Sequence, residues 1–355
     1  MRHPFASVGI VSVCAILFSA SVSFGALGTL EKTFNFNVGD MVANPVLPYV
    51  YATIPSTDSL AVINANTLAL TTTVALGVSP QGIAVSPDGA TVYISNSSSS
   101  VLVLNTATNS LSPSIPVGQS TGSVAVGSGN RIWVADGSGL QQFNASTGAS
   151  SGPNAPGGSV YSGAVRTSPD GNSLYYATYG VSSGSLYKFN VANAASPTLI
   201  YQNPTDIGEN GEDLVLSKDG SELAYVCGYG NGGYQIPGFR TSDMTIVANY
   251  ATGAYPDALA YSPDGTTVYA LHTVYPTSID VDNAATGANL TSFAAADRGF
   301  CEVVDNSGQN LFVAYEGTYF GDTTLKVYSV PEPASCSIMM AASAALLLRR
   351  HRVKA

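Results

Sequence analysis

Charge is what this 355-residue chain has least of: 13 Lys and Arg with 23 Asp and Glu make up 10% of it, and histidine occurs three times. So few long charged side chains, in a chain poor in helix formers, exclude a helical bundle or a coiled coil. The balance is also lopsided. The net charge is −10, and Arg2, Arg349, Arg350, Arg352 and Lys354 all lie near the ends together with Glu332, which leaves 8 bases against 22 acids and a net −14 on the remainder. That excludes nucleic acid as a partner and an anionic membrane as a docking surface. His3 and His351 are terminal, so zinc with several His or Cys ligands cannot be assembled on the middle of the chain. A Ser-His-Asp triad would need His272, which reads as a polar loop residue following a strand. No glycine-rich phosphate loop precedes a helix, because the Gly-x-Gly matches lie in strand turns.

Turn formers and aromatics are plentiful instead, with 36 Gly, 19 Pro and 20 Tyr. A length of 355 fits two domains or one large all-β domain. A repeat decides between them. The stretch Ile83-Ala84-Val85-Ser86-Pro87-Asp88-Gly89 with Val92-Tyr93-Ile94 returns as Leu259-Ala260-Tyr261-Ser262-Pro263-Asp264-Gly265 with Val268-Tyr269-Ala270. Weaker copies place turn glycines at 89, 129, 171, 220, 265 and 308, spaced by 40, 42, 49, 45 and 43 residues. A period in the low forties with four short strand signals per unit predicts propeller blades. Six units carry a strand residue four positions after the glycine: Tyr93, Trp133, Tyr175, Ala224 beside Tyr225, Tyr269 and Phe312. A seventh lacks the turn but keeps the strand around Tyr51. The expectation is an all-β, seven-bladed β-propeller with four antiparallel strands per blade. In the second blade these are Gly82 to Ser86, Thr91 to Ser95, Val101 to Leu104 and Leu111 to Val117.

The Ser-Pro-Asp-Gly phrase has a structural reading. Pro presets φ, Asp bonds local N–H groups and Gly accepts the left-handed conformation, so Asp88, Asp170 and Asp264 are turn residues. Pro80-x-Gly82-Ile83-Ala84-Val85-Ser86-Pro87-Asp88-Gly89, then Val92-Tyr93-Ile94-Ser95-Asn96 and Val101-Leu102-Val103-Leu104-Asn105, resembles the YVTN repeat of β-propellers related to lactonase-type and NHL propellers. The resemblance spans about Leu30 to Val330 and is strongest at 50–118 and 254–282. It implies a propeller of a group made up mostly of non-enzymatic surface proteins. No single activity follows from it. The last unit supplies strands near Gly299 to Val304, Asn310 to Tyr315 and Thr323 to Ser329, then stops. Its outer strand is expected from the alternating segment Lys32 to Val38, a clasp that removes an exposed edge.

Both ends read as addresses. Residues 1–26 combine Arg2, an apolar stretch from Val8 to Phe18 and small residues up to Ala26, the order of a secretory signal peptide cleaved between about Ser23 and Ala26. The apolar part is about half of what a permanent anchor needs, and Val13 is bulky for a lipoprotein site at Cys14. Residues 331–355 open with Pro331-Glu332-Pro333, continue through a small and apolar run to Leu348 and end on a basic cluster. This tail resembles the PEP-CTERM sorting signal of Gram-negative bacteria. The resemblance implies transient membrane contact and cleavage by an exosortase-type protease at the cell surface or outside; an ordinary tail anchor is the alternative. Residues 27–330 are then the propeller. Cys14 and Cys336 fall outside it, and Cys227 and Cys301, two blades apart, are expected as free, largely buried thiols rather than as a mutual disulfide.

One departure from the repeat points to chemistry. The position just before each inner strand is occupied by Gln81, Thr121, Gly163, Glu212, Asp257 and Phe300, and the fifth unit adds Glu209 and Asp213. If Glu209, Glu212, Asp213 and Asp257 converge at a channel mouth they form a carboxylate site for a divalent cation, the one cofactor this sequence suggests. The other reading is a solvated acidic loop. Asp280-Val281-Asp282-Asn283 is read as a turn at the end of a third strand rather than a calcium loop, since the downstream Glu is missing. The functional expectation is an exported, non-catalytic surface or matrix binding module whose partner is extracellular polysaccharide or a surface protein. The alternative is a lactonase-like hydrolase using a metal at the channel mouth.

Overall fold

The computed structural model describes residues 25–137, 139–156, 163–180, 184–203, 207–229, 233–274, 276–316 and 323–330. Pro331-Glu332-Pro333 with the rest of the tail, and nearly all of the N-terminal leader, lie outside these residues. The chain forms seven antiparallel sheets in a ring, a seven-bladed β-propeller. The innermost strands, blade 1 to blade 7, are Met41–Ala43, Pro80–Val85, Thr121–Gly127, Gly163–Thr167, Glu209–Leu216, Pro256–Tyr261 and Arg298–Val304. The strands of blade 2 fall within two residues of their predicted ends, at Pro80–Val85, Thr91–Asn96, Ser100–Asn105 and Ser110–Pro116. Six sheets have four strands. Among the described residues blade 3 has three, and its outer segment is joined to them through the isolated bridges Leu140 with Ala155 and Phe143 with Ser150.

Closure follows the expected device with different bounds. Leu30–Phe34 pairs with Thr324–Ser329 and completes blade 7, but the strand ends at Phe34. The chain must turn inward there, since Met41 already begins the inner strand of blade 1. Val38, expected at the end of the clasp, is instead buried beneath that blade.

Hydrophobic burial is divided among the interfaces between neighbouring blades. One cluster joins Val50, Ala52 and Ile63 of blade 1 to Phe312, Leu325 and Val327 of blade 7, and the other six interfaces are built alike. The repeated aromatic drives this packing: Tyr51, Trp133, Tyr175, Tyr269 and Phe312 are all at most 2% exposed. Each such side chain contributes on the order of 2–3 kcal/mol of burial. Blade 5 has Ala224 at that position, and the space is filled by Tyr250 and by Tyr261 from the inner strand of blade 6, whose rings meet edge-on at 6.4 Å.

The turns behave as the sequence indicates. In blade 2 the Ser86 hydroxyl donates to Asp88, Asp88 accepts the Ala90 N–H, and Gly89 sits at φ +71°. Asp170, Asp219 and Asp264 repeat the arrangement. Hydroxyl and backbone donors hold the Asp88 and Asp170 carboxyls below the ordinary value, and backbone and hydroxyl donors outweigh burial at Asp219 and Asp264 to the same effect.

Candidate functional site

Seven inner strands surround an axial cavity of about 580 Å³. It reaches the face formed by the Ser-Pro-Asp-Gly turns, where Pro87, Pro169, Pro263, Lys218 and Asn306 line its mouth. The Lys218 Nζ donates to Asn306 Oδ1 at 2.6 Å, linking blade 5 to blade 7. Strand pairing defines equivalent wall positions. Val42, Ala84, Ala125, Arg166, Val215, Ala260 and Val303 all face the same second-strand position. One residue earlier stand Met41, Ile83, Val124, Val165, Leu214, Leu259 and Glu302. Each ring is apolar in six blades and charged in one. A third ring, earlier again, supplies Asp40, Asp213 and Cys301 to the wall, and the cavity lining ends there.

The exceptions meet in one polar cluster. Arg166 Nη2 lies 3.1 Å from Asp213 Oδ1, which also accepts from the Tyr179 hydroxyl at 3.2 Å and from the Leu214 N–H at 2.7 Å. Asp40 accepts from the backbone N–H groups of Met41 at 2.8 Å and, across the blade boundary, Ile83 at 3.2 Å. The Cys301 thiol lies 3.9 Å from Asp40 Oδ1. Glu302 is 6% exposed, and neither of its carboxyl oxygens has a hydrogen-bond partner. Burial pushes the Asp40 carboxyl up to about 6, with Arg166 pulling it down and Asp213 pushing it further up. Burial and then the Asp213 charge push Glu302 well above the carboxylate range, and burial followed by Asp40 and Asp213 does the same to the Cys301 thiol. Burial thus favours the neutral form of both groups.

The four acids read from the sequence do not form one set. Asp213 belongs to the axial cluster, tied to Arg166. Glu212 and Asp257 stay at the opposite mouth with Arg298 and Glu316, where Arg298 Nε is 3.9 Å from Asp257 Oδ2. Burial and then the neighbouring Asp257 charge push Glu212 up to about 7, although Glu212 is exposed and water screens part of that repulsion. Burial and Glu316 push Asp257 up to about 6 against the pull of Arg298. Glu209 is exposed at the start of its strand. The physical reason for the split is strand alternation together with the bulge between Gly211 and Asp213, which turns neighbouring residues in different directions. Among the described residues no three His, Cys, Asp or Glu side chains gather as a metal site. Thr121 is also displaced by one: it pairs as Pro80 does, because the first turn of blade 3 is one residue shorter, and Gly122 occupies the mouth position.

His272 is not a loop residue. It ends the strand Thr267–His272, is 8% exposed, and its Nε2 lies 2.6 Å from the Ser278 hydroxyl. Its Nδ1 has no partner, so the orienting carboxylate of a triad is missing. Asp280 to Asn283 lie within the strand Ser278–Asn283, with the turn after them, and Asp282 is completely buried. Cys227, buried, and Cys301, half-buried at the channel, are not joined by a disulfide. Sequence reasoning missed Asp40, Arg166, Tyr179, Cys301 and Glu302. The signal was present in the repeat: comparing the inner strands one to three positions further along would have isolated a lone Arg and a lone Glu among Val, Ala, Ile, Leu and Met.

Solved structures resemble this ring. Hydrazine synthase of Kuenenia stuttgartiensis matches at 17% identity with a TM-score of 0.66, over 84% of this chain and 97% of that one. A chain from the crystal structure of a mitotic checkpoint complex matches at 12% identity with a TM-score of 0.65, over 94% and 99%. At such identities the likeness is one of fold. No curated protein sequence matches significantly. The family described as a domain of unknown function (DUF5074) matches residues 38–220, just over half of the chain and the stretch carrying Asp40, Arg166 and Asp213, and the protein belongs to that family.

Proposed function

We propose that this protein is an exported, non-catalytic binding module of the cell surface or extracellular matrix, and that its ligand site is the axial channel. The observation that carries this is an interruption of the repeat on the inner strands: Arg166 and Glu302 line the cavity at positions that are apolar in the other six blades, at a cost in stability that the fold does not require. A volume of about 580 Å³ lies in the range of small-molecule sites. Export is supported by the leader pattern in residues 1–26 and by Pro331-Glu332-Pro333 with its apolar and basic sequel. Catalysis has less support, since Asp213 is neutralised by Arg166, Cys301 is held as a thiol and His272 lacks an orienting acid. The test is native mass spectrometry of the protein recovered from the producing bacterium. The reading expects extracellular material that begins between residues 24 and 27, ends near 333 and carries a small bound molecule released on unfolding. Full-length protein confined to the cytoplasm, or an exported protein with an empty channel at every ligand concentration tried, would overturn it. A Ca²⁺ titration separates the hydrolase alternative, because stabilisation lost in Glu212→Gln with Asp257→Asn would place a metal at the other mouth.

A further inference from the structure

Resting on the channel as the binding site, the geometry points to the chemical class of its ligand: we propose that the axial channel binds a small primary amine, hydrocarbon body against the Val and Ala walls and ammonium group on Glu302. Four observations converge. First, the walls are apolar wherever the repeat is kept, through Val42, Ala84, Val126, Val215 and Val303. Second, the deep end holds three carboxyls, Asp40, Asp213 and Glu302, and one guanidinium, Arg166. Arg166 is committed to Asp213, so the cluster is short of positive charge and of donors.

Third, Glu302 lines the cavity, is 6% exposed and has no partner for either oxygen. A buried carboxyl without donors costs several kcal/mol if ionised, and it is retained at a site where the other six blades place an apolar residue. An ammonium ion supplies three N–H donors from one atom, which suits the two free oxygens of Glu302. Fourth, the same acids do not form a metal-holding group, which sets the cluster apart from a cation site for Ca²⁺ or Zn²⁺. The remaining polar groups facing this end are the Tyr179 hydroxyl and the Cys301 thiol, both uncharged, and Lys218 stands at the mouth, held by Asn306.

The proton balance is explicit. Burial favours the neutral acid at Glu302 in the empty protein, the amine arrives from solution as ammonium, and any proton on Glu302 goes to the buffer as the ion pair forms. Binding of the amine is therefore expected to release protons, up to one per site, whereas an alcohol of the same length releases none.

The experiment is isothermal titration of the intact protein with hexylamine, 1-hexanol and hexanoate in buffers of different ionisation enthalpy. The expected result is hexylamine at least tenfold tighter than 1-hexanol, hexanoate weakest, and proton release with hexylamine alone. Glu302→Met restores the residue type that Met41 provides in blade 1, so it should fold with an equal or higher melting temperature and lose both the preference and the proton release. Glu302→Gln keeps the shape and should also lose the proton release. Equal affinity for hexylamine and 1-hexanol would overturn the amine site and leave channel binding intact. Failure of all three probes to bind would overturn channel binding of small amphiphiles as well. Unchanged selectivity in Glu302→Met would mean that Glu302 holds only water.

Discussion

Asp88 and Asp264 on the turn face and Asp40 and Asp282 in the interior are the same residue in opposite circumstances. The turn aspartates accept from a serine hydroxyl and from backbone N–H groups, so their charge is favoured. Burial dominates at the interior pair and pushes both up to about 6; Asp282 is held by Asn289 through one oxygen while the other has no partner. The first kind recurs in blade after blade and serves the fold. The second kind does not recur from blade to blade and costs stability: Asp282 stands alone at its position away from the channel, and Asp40 shares its ring with Asp213 and lines the channel. An unrepeated charge marks the site only where it also lines the channel, as Arg166 and Glu302 do and Asp282 does not.

The largest effect expected from breaking this comparison lies at ring closure. Deleting Leu30–Phe34 exposes the edge of Thr324–Ser329, and a fall in melting temperature of about 10 °C or more, with association seen by size-exclusion chromatography, is expected. An unchanged melting temperature and a monodisperse monomer would show that the clasp contributes little. The turns themselves can be graded next. Gly171 has φ +67°, and an added Cβ would run into the Ser128 backbone of blade 3, whereas Gly265, at φ +71°, faces open space. Gly171→Ala is expected to cost roughly 3 kcal/mol and Gly265→Ala about 1 kcal/mol, the second being backbone strain alone. Denaturant unfolding of the two variants measures the difference, and equal losses would remove the interlocking of adjacent turns as its cause.

Acidity tests the two kinds of aspartate together. Asp40, Asp257 and Asp282, raised to about 6, and Glu212, raised to about 7, bind protons more tightly in the folded chain than in the unfolded one. Their contribution is complete below the ordinary carboxylate value and is lost as pH rises through 6 to 7. The turn aspartates, held low, contribute above the ordinary value and lose that contribution as pH falls below it. The melting temperature should therefore be higher at pH 5 than at pH 8, by about 3 °C or more, and fall again under strong acid. The smallest effects are single turn substitutions. Asp264→Ala should cost about 1 kcal/mol at pH 7, while Asp282→Asn should cost nothing at pH 8 and flatten the slope between pH 5 and 8. A steeper slope in Asp282→Asn would show that the buried carboxyl is not what titrates.

Much of the fold was legible before the structure because its determinants are short-range. Ser-Pro-Asp-Gly turns, alternating strands and a period near 42 mark the blades, and Tyr51 before Tyr93 is enough to identify the unit without a turn. Blade 3 was harder to place, since its outer segment is joined through isolated bridges among the described residues. Glu209, Glu212, Asp213 and Asp257 stand out in the sequence as departures from the repeat, but their spacing along the chain does not show which way each side chain points. Glu212 and Asp213 are adjacent in sequence, yet one belongs to a mouth and the other to the channel, because the bulge and the alternation of the strand separate them.

The sequence by itself determined the all-β class, the count of blades, the turn chemistry and the need for an N-terminal strand to complete blade 7, since each of these follows from patterns within one repeat or from counting repeats. Tertiary structure alone decided that Asp40, Arg166, Asp213 and Glu302, taken from blades 1, 4, 5 and 7, share one buried volume. Closure of the ring brings together residues as far as 262 positions apart, and their charge states depend on a cavity that no single blade encloses.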